Sequence, residues 1–212
     1  MKVSRFSFNM FGVNTYILWD DISKEAIIVD PGMINDSEIN VIDEFITKNN
    51  LSLTHLINTH MHIDHAFGVS YIKDKYHIKL ECNSNDQFLA QRLKDQATMF
   101  GLPISIEDLQ IEVDLKNGDE LNIGNEKLII LQVPGHSPGS IVLHAPQSSF
   151  IISGDVLFNS SIGRTDLPGG SHSQLISSIN NKLMTLPEDT IVYPGHGPET
   201  TIGQEKQINP YL

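Results

Sequence analysis

The sequence predicts an α/β fold in which two β-rich halves pack together and helices cover their outer faces. Three observations carry this. Short runs rich in β-branched and aromatic residues fill the first 29 residues and return between Glu120 and Ile152. Stretches with apolar residues at helical spacing lie between and after those runs. No Pro/Gly/Ser-rich linker interrupts the chain, so residues 1–212 read as one domain.

The elements follow in order. Val3–Phe8, Thr15–Trp19 and Ala26–Val29 read as strands, the last stopped by Asp30-Pro31-Gly32. Ser37–Lys48 reads as a helix because Ile39, Ile42, Phe45 and Ile46 share one face, and Asp36 or Ser37 would cap it. Thr54–Asn58 is a buried-type strand, followed by a loop to Asp64 and a helix from about His65 to Tyr76. Ile78–Cys82 returns as a strand, and Asn85–Phe100 as a helix ended by Gly101 and Pro103. Glu120–Ile123, Lys127–Gln132, Ser140–His144 and Phe150–Ile152 are strands joined by turns. Gln174–Met184 is helical, Ile191–Tyr193 a short strand, and Thr201–Asn209 a final helix. The pattern by itself leaves the topology open.

Composition narrows the function. The 212 residues, 40% hydrophobic and 19% charged, suffice for a sizeable core. No run of eighteen apolar residues occurs, so no membrane span is expected. The first residues lack a long apolar stretch with a small-residue cleavage site, so they do not read as a secretory signal, and a cytoplasmic setting is expected. The net charge of −12 argues against nucleic acid, which needs a basic stripe. The single cysteine, Cys82, cannot form an intramolecular disulfide and reads as a small buried apolar residue. Oligomeric state is not legible.

Histidine is the unusual feature. His60, His62 and His65 fall within six residues, in Thr59-His60-Met61-His62-Ile63-Asp64-His65. In an extended loop His60 and His62 point to the same side and can grip one ion. Asp64 continues that alternation while His65 turns away, so the two could serve a second ion. Imidazole and carboxylate accept zinc, iron and manganese alike. His136 and His196 each follow a strand, in turns shaped by glycine and proline (Pro134-Gly135-His136 and Pro194-Gly195-His196), which suits a ligand that must be held in place. Asp155 interrupts the apolar stretch Ile152–Phe158, and a buried carboxylate is costly unless paired or bound to metal. His55, His77 and His144 lie in or beside strands and read as packed or solvated. Met99 and Phe100 end a helix and read as core, although an apolar entrance would also use them.

These motifs, H-x-H-x-D-H, the later lone His136, Gly154-Asp155 and Gly195-His196, resemble the metallo-β-lactamase superfamily in residue type and order. The resemblance runs from Val29 to His196. It implies an αββα sandwich of two mixed sheets, with the metals at one edge. It assigns His60, His62 and His136 to a first divalent ion, and Asp64, His65 and His196 to a second. Asp155 would bridge both, and Asp30 would orient a liganding imidazole from behind. Zinc is the first expectation for both ions, with iron or manganese as alternatives.

Within the family the ligand set resembles type II glyoxalases, which hydrolyse hydroxyacyl-glutathione thioesters. The stretch Ser161–Gly170 and the ending Gln207–Leu212 look like those of the short bacterial members. The expected partner is therefore a small acyl-thiol molecule, such as S-lactoylglutathione, attacked by a hydroxide shared between the ions, with Asp64 also hydrogen-bonding that hydroxide. Longer type II glyoxalases carry a helical C-terminal extension with basic residues for glutathione, whereas Leu212 stands only 16 residues after His196. Arg164, His172 and Lys206 are the candidate substrate contacts, with Arg164 read first as a structural partner of Asp166. Two rival readings stand beside this one. Persulfide dioxygenases of the same fold use a single iron held by two histidines and an aspartate. A non-catalytic binding protein would keep its metals for stability.

Overall fold

The computed structural model describes residues 1–212 and places strands and helices in three interfaces. The first sheet holds β1 (Lys2–Phe8), β2 (Val13–Trp19), β3 (Glu25–Val29), β4 (Ser52–Ile57), β5 (Leu80–Cys82) and β6 (Val113–Asp114), paired in that order. β1 to β3 run antiparallel and β3 to β6 parallel, so the sheet is mixed. The second sheet is built from β7 (Glu120–Ile123), β8 (Glu126–Gln132), β9 (Ile141–Ala145) and β10 (Phe150–Gly154). A small hairpin of β11 (Leu157–Phe158) and β12 (Ser161–Ile162) stands outside it, and β13 (Ile191–Pro194) and β14 (Thr200–Thr201) complete it in the order β14-β13-β10-β9-β8-β7.

Side-chain alternation explains why both faces of each sheet are covered. In β2, Tyr16 and Leu18 face the second sheet, where they meet Ile130, Leu143 and Ile152 in one core. Their neighbours Ile17 and Trp19 face the other way. There they pack with α1 (Asp36–Asn49), α2 (Val69–Tyr76), α3 (Gln87–Ala90) and α4 (Leu93–Met99) through Ile42, Ile72, Leu89 and Leu93. On the far side, Val142 and Ile151 pack against α5 (His172–Ser178) and α6 (Ile202–Ile208) through Leu175 and Ile202. The layers are thus α, β, β, α, as the resemblance implied. No helix is long and apolar enough to cross a membrane.

Several elements depart from the sequence expectation. The helix after Asp64 is split: a 3₁₀ turn covers Ile63–His65 and the α-helix begins only at Val69. The helix expected over 85–100 is broken at Gln91–Arg92 into α3 and α4, and Gln174–Met184 ends in a π-turn over Ile179–Leu183. Asn35, rather than Asp36 or Ser37, caps α1 by accepting from Glu38 N at 3.1 Å. Cys82 is fully buried, as expected for a small apolar residue.

Candidate metal centre

The loop after β4 is pinned before it reaches the site. Thr59 C=O accepts from Ile141 N, which ties the loop to the second sheet. Met61 and Ile63 turn into the core and are fully buried. The alternation then leaves His60 and His62 on the opposite side, as the spacing predicts. The loop closes where Asn58 Nδ2 donates to His65 C=O at 2.8 Å.

Three imidazole nitrogens converge from two loops. His136 Nε2 lies 2.9 Å from His62 Nδ1 and 3.2 Å from His60 Nε2. Hydrogen bonds set which nitrogen faces the centre. His136 Nδ1 donates to Arg164 C=O at 2.7 Å, which leaves its Nε2 as a lone pair. His60 Nδ1 sits 3.1 Å from Thr59 Oγ1, whose proton goes to Asp30 Oδ2 at 2.7 Å. His60 Nε2 is thereby also an acceptor. Two acceptors 3.2 Å apart repel unless a cation lies between them. Tetrahedral coordination at the usual Zn–N length spaces ligand atoms about 3.3 Å apart.

A second cluster adjoins the first. Asp64 Oδ2 lies 3.2 Å from His196 Nε2 and 3.6 Å from His65 Nε2. His196 Nδ1 donates to Phe11 C=O at 3.1 Å, so its Nε2 faces Asp64 as an acceptor in the neutral ring. Asp155 stands between the clusters, with Oδ1 3.4 Å from His65 Nε2 and Oδ2 3.7 Å from His136 Nε2. His65 Nδ1 and Nε2, His62 Nε2 and Asp155 Oδ1 are buried without an aligned hydrogen-bond partner. Native proteins rarely leave such atoms orphaned. This donor set fits divalent metal ions.

Asp30 holds the frame from behind. Its oxygens accept from Thr59 N and Thr59 Oγ1, each at 2.7 Å, and Oδ2 lies 3.0 Å from His65 Nδ1. Glycine is required where the loops meet. A Cβ on Gly195 would lie 2.2 Å from Asp155 Oδ1. Gly154 combines a φ of +50° with a Cβ position 2.3 Å from Thr59 Oγ1.

The electrostatics divide the clusters. Burial drives protons off His60 and pushes His62 down to about 3, so both rings are neutral and ready to ligate. Burial also opposes protonation of His65, but the charges of Asp64, Asp155 and Asp30 outweigh it and hold its pKa above the ordinary value. His196 is raised likewise, with the Asp64 hydrogen bond and the Asp155 charge overcoming burial.

A model of the metallo-beta-lactamase superfamily matches residues 9–196. The chain belongs to this superfamily. It is 38% identical to hydroxyacylglutathione hydrolase GloC of Haemophilus influenzae, over all of this chain and 98% of that protein. The crystal structure of BLEG-1 B3 metallo-beta-lactamase superposes with a TM-score of 0.88 at 37% identity, covering 100% of this chain and 99% of that one. A third similar protein, TTHA1623 in a di-iron-bound form, gives 0.87 at 30% identity, with 99% and 100% covered. Membership in a family of divalent-metal proteins agrees with the two donor clusters.

The superfamily frame here rests on two residues that the sequence did not announce. Asp86 is fully buried between the loops: it accepts from Met61 N at 3.1 Å, Ser137 Oγ at 2.7 Å and Gly139 N at 2.6 Å. It thus links the His60–His62 loop to the His136 loop. Gln96 accepts from Ile63 N and donates to Met61 C=O and Leu89 C=O. In sequence Asp86 looks like an ordinary polar residue at a helix start and Gln96 like one inside a helix, and only their burial singles them out. Replacing Asp86 with alanine would strand three buried donors. The expected result is a loss of roughly 10- to 100-fold in metal affinity, read by competition with a chromogenic chelator. An affinity equal to that of the unmodified chain would refute the linking role.

The candidate substrate contacts divide. Arg164 lines the cavity over the clusters, but its guanidinium is engaged with Asp166 by two bonds of 2.7 and 2.8 Å, the structural pairing first expected. His172 starts α5 and lines no cavity near the clusters, and Lys206 on α6 lies against Leu186 C=O and Glu188. Both expectations are corrected: neither side chain lines the cavity over the clusters, although α5 begins beside the His136 loop, where Ser171 N donates to Gly135 C=O at 2.8 Å. Met99 and Phe100 are corrected as well, because they are exposed and line a cavity instead of the core.

Proposed function

We propose that this protein is a metal-dependent hydrolase of acyl thioesters of the hydroxyacyl-glutathione type. His60, His62 and His136 would hold one divalent ion, Asp64, His65 and His196 a second, and Asp155 would touch both. The observation that carries this reading is the pair of adjoining donor clusters whose ring nitrogens are aimed by Thr59, Arg164 and Phe11. The likeness to a protein named hydroxyacylglutathione hydrolase supports the thioester. Such ions supply Lewis acidity that polarises a carbonyl and acidifies water.

The chain's own groups do the rest. Asp64 accepts a hydrogen bond from the attacking water and, being 17% exposed at its side chain, meets both the site and the cavity. Asp155, held ionised by His65 against the cost of burial, keeps the cluster charge balanced. Phe11, Phe100 and Leu167 line the cavity and limit bulk water. A departing thiol has a pKa of about 8.5, so it leaves as thiolate without a separate acid. Thioester substrates on a cellular thiol would place the protein in the cytoplasm, where the one free cysteine is at home.

The test is metal analysis of purified protein joined to S-lactoylglutathione hydrolysis with zinc, iron and manganese in turn. Two ions per chain with turnover supports the reading. One iron per chain with oxygen uptake on glutathione persulfide would instead make it a dioxygenase, and metal-replete protein inert on every ester would make it a binding protein.

The two sites should also differ in acid. The second cluster must shed protons from His65 and His196, whose pKa values are raised, before both can ligate. Its affinity should therefore climb with pH through and above about 6.5. The first cluster, with His60 and His62 already neutral, should hold its ion to lower pH. Equilibrium dialysis from pH 8 to 5.5 is expected to show one ion lost well before the other. Simultaneous loss would contradict the division.

A further inference from the structure

The cavity over the donor clusters does not end there. It is lined by Asp64, His136, Asp155 and His196 at one end, and shares His62, Phe100 and Leu167 with a second cavity of about 160 Å³. That second cavity is walled by Phe88, Leu89, Met99, Phe100, Leu167 and Pro168. The two form one cleft, polar at the clusters and apolar beyond His62.

The polar groups of the apolar arm are spoken for. Gln96 has its amide hydrogens on Met61 C=O and Leu89 C=O and its oxygen on Ile63 N. Arg92 and Asp95 stand at the rim as a mutual ion pair at 3.1 Å, so they present no net charge. Large apolar side chains are exposed around this cleft, Met99 at 58% and Phe100 at 39%. Phe11 stacks with Phe67 and meets Phe100 edge-on along the same mouth. Apolar surface gathered at one place on a strongly acidic protein marks a binding surface. An apolar cavity of about 150 Å³ accommodates a benzene ring.

We propose that this arm is an acyl-binding pocket, which selects thioesters whose acyl group carries a neutral apolar arm the size of a phenyl ring or a six-carbon chain. A small hydroxyacyl group would leave it unfilled. The proposal rests on the hydrolase reading above. Orientation follows from polarity: the arm beyond His62 offers no free charge or unpaired polar group to a charged glutathione moiety, so the acyl side runs past His62 and the thiol side lies toward the end lined by Asp64 and His196.

The experiment uses the full-length protein loaded with zinc. One series keeps glutathione as the thiol and varies the acyl group through acetyl, lactoyl, butanoyl, hexanoyl and phenylacetyl. A second keeps acetyl and varies the thiol. The expected result is kcat/KM rising roughly 10²-fold from acetyl to hexanoyl or phenylacetyl, at about fourfold for each buried methylene. Met99→Glu and Phe88→Ser, both at exposed positions, should each collapse the hexanoyl-to-acetyl ratio toward one. Circular dichroism confirms that they fold. A flat acyl series, a preference for lactoyl, or a gain that follows the thiol series instead would overturn the proposal while leaving a hydrolase. No turnover on any ester would overturn the hydrolase reading itself and this pocket assignment with it.

Discussion

Asp155→Ala is expected to leave a folded protein that binds at most one ion tightly and, on the thioesterase function proposed above, to lower turnover about 10³-fold. The magnitude follows from losing several kcal/mol of charge stabilisation in the transition state, at a factor of ten per ~1.4 kcal/mol. Folding should survive, because Asp155 Oδ1 has no hydrogen-bond partner and the carboxylate is desolvated among imidazoles. Removing it strands no donor of the scaffold. Asp155→Asn keeps the shape but not the charge, and should resemble the alanine variant in metal content. Inductively coupled plasma analysis with a thioester assay reads both quantities. Full metal with full turnover would show that Asp155 serves neither ion.

Stripping the metals should have an effect as large and reach further. Treatment with a strong chelator is expected to abolish hydrolysis and to lower the melting temperature by about 8–16 °C. The reasoning is linkage: a single ion present at a thousandfold over Kd stabilises the folded chain by about 4 kcal/mol, and a domain of this size shifts by about 2–4 °C per kcal/mol, so the tighter ion alone accounts for that drop. The local cause is the facing pair of acceptors, His60 Nε2 and His136 Nε2, at 3.2 Å. Without a cation the chain must absorb that repulsion. Add-back of zinc, iron or manganese restores melting and activity separately, so the ion that restores both identifies the working metal. An unchanged melting curve after complete removal would mean that the clusters are not under this strain.

Much of the centre was legible because it is local. The alternation of His60 and His62 against Met61 and Ile63 follows from an extended loop with a two-residue repeat, and the burial of Met61 and Ile63 bears it out. Strands such as β2 and β9 were legible for the same reason. Element breaks were not. The interruption between α3 and α4 at Gln91–Arg92 has no proline or glycine to announce it. Capping falls to Asn35 and not to the Asp36 or Ser37 that the sequence suggested, because backbone geometry decides it, with Asn35 extended at φ −147°.

The sequence by itself determined the kinds of donor atom and the order in which they arrive: four short segments, each following a strand with histidine or aspartate. Short-range sterics and hydrophobic period are enough for that, since they act between near neighbours in the chain. The family resemblance implied which donors share an ion, but only the tertiary structure supplies the physical reason that they meet. His62 and His136 stand 74 residues apart yet meet at 2.9 Å because β8 and β4 are brought to one edge by sheets packed face to face. The same packing buries Asp86 between two loops, carries Lys206 to the far face and leaves Met99 and Phe100 at the mouth of an apolar cleft. Such outcomes depend on contacts between distant segments, whose free energies are settled when the layers close and leave no trace in the local pattern.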